Sequence, residues 1–113
     1  MHNNACMNKK EAIDQALTDI DSDFMKALVE PARIEILKLL ILNGTSDVKT
    51  LAEKMPQDRS VISRHLTFME KAGLVKSQKE GRHVIYFVDG QNALQKAENI
   101  VLSMKKCFAL GCC

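Results

Sequence analysis

No unbroken apolar run in this 113-residue chain is long enough to cross a bilayer. Its opening, MHNNACMNKKEAIDQ, holds no apolar segment of the kind a secretory leader carries. The expected location is therefore the cytoplasm, and no membrane partner is expected. Internal repeats and low-complexity tracts are also missing, which points away from solenoids and biased linkers. So are a glycine-rich phosphate loop, a nucleophile elbow and paired carboxylates in a pocket context. A thiol–histidine pair is disfavoured too, because His65 and His83 fall in the basic half of the chain, far from Cys6, Cys107, Cys112 and Cys113. The chain is not expected to be an enzyme.

What the chain does hold is an ordinary globular balance, 46% apolar and 27% charged residues, at the length of one domain. The expected organisation is a single domain over 1–113, with a flexible arm at 1–8 and a cysteine-bearing tail at 107–113. The formal net charge of +2 conceals an asymmetry. Residues 1–30 carry three Lys against six Asp or Glu, whereas residues 59–83 carry six Lys or Arg against two Glu, with His65 and His83 besides. A local cationic excess is what phosphate binding requires, since each Lys or Arg that meets a phosphate releases condensed counterions.

Hydrophobic spacing then gives the elements. Asn8 to Ile20 is amphipathic through Ala12, Ile13, Ala16, Leu17 and Ile20. Phe24 to Val29 carries Phe24, Met25 and Leu28. Pro31 suits a first helical position, and Ala32 to Leu42 follows with Ile34, Leu37, Leu40 and Ile41 on one side, stopped by Asn43-Gly44. A short helix over Asp47 to Met55 turns Val48, Leu51, Ala52 and Met55 inward before Pro56 breaks it. Asp58 is placed to cap a helix over Arg59 to Ala72 through its carboxylate, with Ile62, Leu66 and Met69 toward the core and Gly73 as terminator. Beyond Gly73 the period changes. Residues 74–78 and 83–88 are β-rich around a turn at Lys79-Glu80-Gly81-Arg82. Asn92 to Lys106 closes the chain as a helix striped by Leu94, Ala97, Val101 and Met104.

The order is mainly α with one hairpin: two short helices joined by a tight turn, the second basic and followed by a β-hairpin. That is a winged helix-turn-helix. A helix fills the major groove and its N-terminal residues meet base edges. With Ile62 and Leu66 inward, the residues left for double-stranded DNA are Arg59, Ser60, Ser63 and Arg64, with Val61 partly outward. His65 is divided between a phosphate contact and a buried hydrogen-bonding role. Lys79 and Arg82 at the hairpin would reach the flanking backbone or minor groove.

At these residues the chain resembles a known family. Phe24-Met25-Lys26-Ala27-Leu28-Val29-Glu30-Pro31-Ala32-Arg33-Ile34-Glu35-Ile36-Leu37 resembles the "AL(A/S)xPxRxxIL" opening of the ArsR/SmtB metal-responsive repressors. Arg59 to Leu66, running on to Glu70-Lys71-Ala72-Gly73-Leu74-Val75, is similar to their "QSxVSxHLxxLxxAGLV" recognition helix. Gly81-Arg82-His83-Val84-Ile85-Tyr86 resembles their "GRxxxY" wing. The likeness spans Phe24 to Val88. It implies a homodimer built from the first and last helices, reading an inverted repeat through two recognition helices roughly 34 Å apart. It also implies repression until an inducer binds. The apolar stripes of 12–20 and 94–104 agree with a dimer, since they exceed what one small core buries.

The same resemblance supplies two familiar metal sites to test. The positions of a "CxC" pair before the recognition helix hold Asp47 and Lys49, and the last-helix set retains Asp89 but has Gln91, Leu102 and Lys105 at the other places. Neither set of ligands is complete. What remains is Cys107, Cys112 and Cys113 around Gly111, with Cys6 as a further thiol. A reducing cytoplasm disfavours structural disulfides. Thiolates without nearby histidine select soft ions. Three thiolates suit trivalent arsenic or antimony as inducer, and a fourth from Cys6 would shift preference toward a soft divalent metal such as cadmium, lead or zinc. A thiol-based redox or sulfur sensor without metal, pairing Cys107 with Cys112, also fits these residues, and incidental cysteines on a frayed tail are the remaining reading.

Overall fold

The computed structural model describes residues 9–18 and 21–110. Along these the chain forms α1 (Lys9–Thr18), α2 (Ser22–Val29), α3 (Pro31–Asn43), α4 (Val48–Lys54), α5 (Arg59–Lys71), β1 (Val75–Glu80), β2 (His83–Val88) and α6 (Gly90–Leu110). Two compact units result: one runs from Asp23 to Ala93, the other pairs the described residues up to Ser22 with those from Leu94 onward.

In the 23–93 unit, α5 packs on α3, α4 and β1, and β2 packs on α3. Ile36, Leu40, Leu51, Ile62, Leu66, Met69 and Val75 are its largest fully buried side chains. Burial of each contributes about 1.5–3 kcal/mol, so this one cluster outweighs any single polar contact in the unit. Pro31 opens α3 at the position where its missing N–H costs nothing, and the Glu30 carboxylate accepts from the Ala32 amide at 3.3 Å. Gly44 closes α3 at φ +83, its amide bonded to the Leu40 carbonyl at 2.8 Å. The stripe expected on α3 is corrected by the structure. Ala32, Ile36 and Leu40 are the buried set, while Ile34 and Ile41 are exposed. Apolar residues surround most of this helix, so spacing alone could not select the face.

The hairpin is antiparallel, in register from Val75 opposite Val88 to Glu80 opposite His83. Lys79 and Glu80, expected in the turn, are therefore strand residues, and only Gly81 and Arg82 make the connection. Gly81 stands at φ +62 and, among the described residues, no non-glycine residue has a positive φ, the pattern of a II′ turn with glycine first. Ser46 adds a single bridge to Tyr86, with amide–carbonyl distances of 3.0 and 2.8 Å.

In the other unit Ala16 and Ser103 are buried and Lys96 forms an ion pair with Asp21. α6 is longer than its spacing predicts. The Asp89 carbonyl accepts from Ala93 at 2.9 Å and starts the helix at Gly90, and the C-terminal end continues through Leu110. Of the predicted stripe, Leu94, Val101 and Met104 are exposed and Ala97 is half-buried; Leu17 and Phe108 are exposed as well. Among the described residues no helix is long and apolar enough to cross a membrane.

Candidate nucleic-acid interface

The helix-turn-helix is set by two caps that differ in kind. Before α4, the Asp47 carboxylate accepts from the Thr50 amide at 2.8 Å. The two hydrogen bonds from Thr50, with help from His83 and Lys49, hold its carboxyl below the usual aspartate range. Before α5, Asp58 takes the extended cap conformation, but its carboxylate makes no cap bond; the Asp58 carbonyl accepts from Val61 and Ile62, each at 3.1 Å. The expectation of a side-chain cap at Asp58 is thus corrected. The cap geometry survives because the backbone carbonyl begins the helical ladder without the carboxylate.

Along α5, Ile62, Leu66 and Met69 are completely buried, which fixes the helix's rotation. The opposite face presents Arg59, Ser60 and Arg64 exposed, with Val61 and Ser63 half-buried. Gly73, at φ +85, ends the helix, and the Leu74 amide reaches back to the Met69 carbonyl at 2.9 Å, a 6→1 bond of the Schellman type. The exposed residues are donors suited to base edges and phosphates.

The wing brings further charge to the same unit. Arg82 is exposed at the tip and Lys79 is exposed on β1. Arg59 from the start of α5 and Arg82 from the wing line one open cleft of about 220 Å³, together with Val48, Lys49, His83 and Val84. Asp47 lines it too, 4.0 Å from His83 Nδ1. Residues 23 apart in sequence thus converge on one concave, largely cationic surface. Lys49 belongs to this surface, and sequence reasoning assigned it no DNA role; its place in the first turn of a short helix, two residues after the Asp47 cap, was the available signal.

His65 is positioned differently from its neighbours. It is half-buried, and its Nδ1 lies 3.2 Å from Arg33 Nη1. Burial, then the Arg33 charge, hold the imidazole below its ordinary pKa. The Arg33 guanidinium also donates to the carbonyls of Ala27 (3.3 Å) and Lys26 (2.7 Å) at the end of α2, and lies 4.7 Å from the centre of the Phe68 ring. Sequence reasoning placed Arg33 in the family-like opening but assigned it no role.

Among the described residues no group of three or more His, Cys, Asp or Glu is arranged to hold a metal ion. Asp47 is engaged as a helix cap, and Lys49, Leu102 and Lys105 cannot act as ligands there. Asp89 is engaged with the Asn92 amide (3.4 Å) and approaches Lys76 (3.9 Å). Cys107 is a free, half-buried thiol within α6 rather than beyond it. Cys6, Cys112 and Cys113 lie outside the described residues.

Comparison with known proteins agrees with this architecture. A family profile described as "Bacterial regulatory protein, arsR family" matches residues 30–77. The chain is 29% identical over 103 residues to the cadmium resistance transcriptional regulatory protein CadC homolog of Staphylococcus aureus, covering 91% of this chain and 84% of that protein. A crystal structure of a possible transcriptional regulator for arsenical resistance superposes with a TM-score of 0.63 at 35% identity, covering 73% of this chain and 83% of the other. The solution structure of the homodimeric winged helix-turn-helix domain of Mb0332 from Mycobacterium bovis gives a TM-score of 0.62 at 27% identity, covering 81% and 85%. With the fold, the cationic helix and wing and these likenesses together, the chain belongs to the ArsR family of DNA-binding transcriptional regulators.

Proposed function

We propose that this chain is a cytoplasmic homodimeric repressor that reads an inverted repeat in double-stranded DNA and releases it when cysteine thiolates capture an inducer. Arg59, Ser60, Val61, Ser63 and Arg64 meet the major groove, while Lys79 and Arg82 take the flanking backbone or minor groove. His65 stays on the scaffold side of the helix through Arg33. The observation that carries the DNA reading is the convergence of Arg59 and Arg82 on one cleft, because it lets the recognition helix and the wing of a single protomer engage one continuous stretch of the duplex. The exposed Leu17, Leu94, Val101, Met104 and Phe108 support a dimer, since apolar side chains of this size on α1 and α6 gain free energy when a second copy covers them. The homodimeric neighbour from M. bovis supports it too.

The inducer is trivalent arsenic or antimony held by Cys107, Cys112 and Cys113, with Cys6 able to add a fourth sulfur. Cys107, free and partly accessible at the end of α6, supports that choice, and so do relatives named for cadmium and arsenical resistance. Inducer and DNA then weaken one another by the same factor, a coupling typically of about 1–3 kcal/mol. The test is affinity for a duplex enriched by the protein from a random library, titrated with arsenite, antimonite, cadmium, zinc and a polysulfide donor. Arsenite is expected to release the wild type and to leave a Cys112→Ser/Cys113→Ser variant bound. A double variant that responds normally places the sensor elsewhere, and release by the polysulfide donor alone replaces the metalloid with sulfur chemistry.

A further inference from the structure

We infer that Arg33 and His65 form a proton-sensitive latch that holds the recognition helix to the scaffold. The inference deepens the DNA-binding reading above and rests on it for its effect on DNA, but the latch itself is a property of the free protein.

The geometry comes first. Arg33 lies in the first turns of α3, yet its guanidinium reaches three places. It donates to the carbonyls of Lys26 and Ala27, which are among the last four of α2 and lack helical partners. It faces the Phe68 ring on α5 at 4.7 Å, within cation–π range. And Nη1 lies 3.2 Å from His65 Nδ1, one residue after Arg64 on the same helix. One side chain therefore ties α2 and α3 to α5, two residues from Ser63 and next to Arg64 on the DNA-facing side.

The chemistry follows from the donor inventory. Arginine has donors only, so His65 Nδ1 must be the acceptor and the ring proton must sit on Nε2. A second proton on the ring would remove the acceptor and set an imidazolium against a guanidinium. The charges that bear on the ring are Arg33 of α3, Glu30 at the cap of α3, and Arg64 on its own helix. Burial and the two arginines outweigh Glu30, so the ring's proton affinity is lowered in the folded state. Both partners thus act through α5: they are positioning residues, and neither is a DNA contact.

The sign is fixed by linkage. A histidine whose folded pKa lies below its ordinary 6.5 is neutral in both states above that value. As pH falls below 6.5 the unfolded or unlatched chain takes up the proton first, and the latched state loses stability until the folded pKa is passed.

The experiment has two arms. On the free protein, the His65 ring is titrated by NMR and protection of the α5 amides is followed by hydrogen exchange in wild type, His65→Asn and Arg33→Gln. Asn carries an acceptor close to the Nδ1 position and does not titrate. The His65 ring is expected to titrate below 6.5, α5 protection of the wild type to fall with acidification, and that of His65→Asn to stay level. On DNA, a duplex enriched by the wild type from a random library at pH 8 is the probe. Wild-type affinity is expected to drop roughly tenfold relative to His65→Asn between pH 7.5 and 5.5, the loss that accompanies one hydrogen bond to a charged group. His2 and His83 remain in both proteins and cancel in the ratio. Arg33→Gln is expected to bind roughly tenfold more weakly than wild type at pH 8 with an unchanged salt slope. A ring titrating at or above 6.5, His65→Asn following the wild-type pH curve, or a salt slope reduced by about one phosphate per Arg33 removed would each overturn the latch. If no duplex is enriched at all, the DNA reading fails while the free-protein arm still decides the latch.

Discussion

Neutralising the cleft tests the interface most directly. In Arg59→Gln/Arg82→Gln two exposed guanidinium groups are lost per chain, which makes four in the proposed dimer. Both side chains are solvated and neither belongs to the buried cluster, so the fold is expected to survive. If each meets a phosphate, the slope of log K against log salt should shrink by about 0.9 per contact, or about 3.6 in the dimer. Raising salt fourfold, from 50 to 200 mM, should then narrow the gap between wild type and variant by about 150-fold. Fluorescence anisotropy of a labelled, library-enriched duplex across that range measures both slopes. Lys105→Gln/Lys106→Gln on α6 serves as the control, exposed like the arginines but remote from the helix-turn-helix in sequence and in unit. The control is expected to keep the wild-type slope. A double arginine variant with undiminished slope would refute the cleft as a phosphate grip, whatever happened to the affinity.

Two further outcomes concern the scaffold. Leu66→Ala removes a fully buried side chain between α5 and its neighbours and should destabilise the protein by about 2–5 kcal/mol in urea denaturation; a loss under about 1 kcal/mol would mean the helix is not anchored there. Asp47→Ala removes the α4 cap and should lower stability by about 1 kcal/mol at pH 7. Because the Asp47 carboxyl is held below its ordinary 3.8, its ionised contribution is present above that value and is lost as pH falls through the lowered pKa, so urea midpoints of the two proteins should converge on acidification.

Much of the helix-turn-helix is legible in the sequence because several local signals agree over a short span. Pro56 as a breaker, Ile62, Leu66 and Met69 at helical spacing and Gly73 as a stop all favour one helix in one rotation, and the buried set is the predicted one. Where signals were few the reading drifted. Lys79 and Glu80 have little strand preference and their sequence predicts a turn, yet they pair with Val84 and His83 because β2 provides a partner for their backbone. Hydrophobic spacing starts the last helix at Asn92, whereas the Asp89 carbonyl and carboxylate supply the first bonds that start it at Gly90. Spacing groups Ile34 and Ile41 with Leu37 and Leu40 on one side, but α3 is apolar almost all round, and only packing against α5 and β2 decides its buried side. Arg33 and His65 are 32 residues apart, so no local pattern could join them.

The bridge between Ser46 and Tyr86 has a consequence for how this protein can diversify. It nails the wing's root to the segment that enters α4, while the two-residue apex at Gly81-Arg82 touches nothing that a Cβ on Gly81 would disturb. Residues inserted at the apex would lengthen the arm and leave its bearing intact. An insertion between Ser46 and Asp47 would instead swivel wing and helix-turn-helix against each other, so reach is free to vary where aim is not.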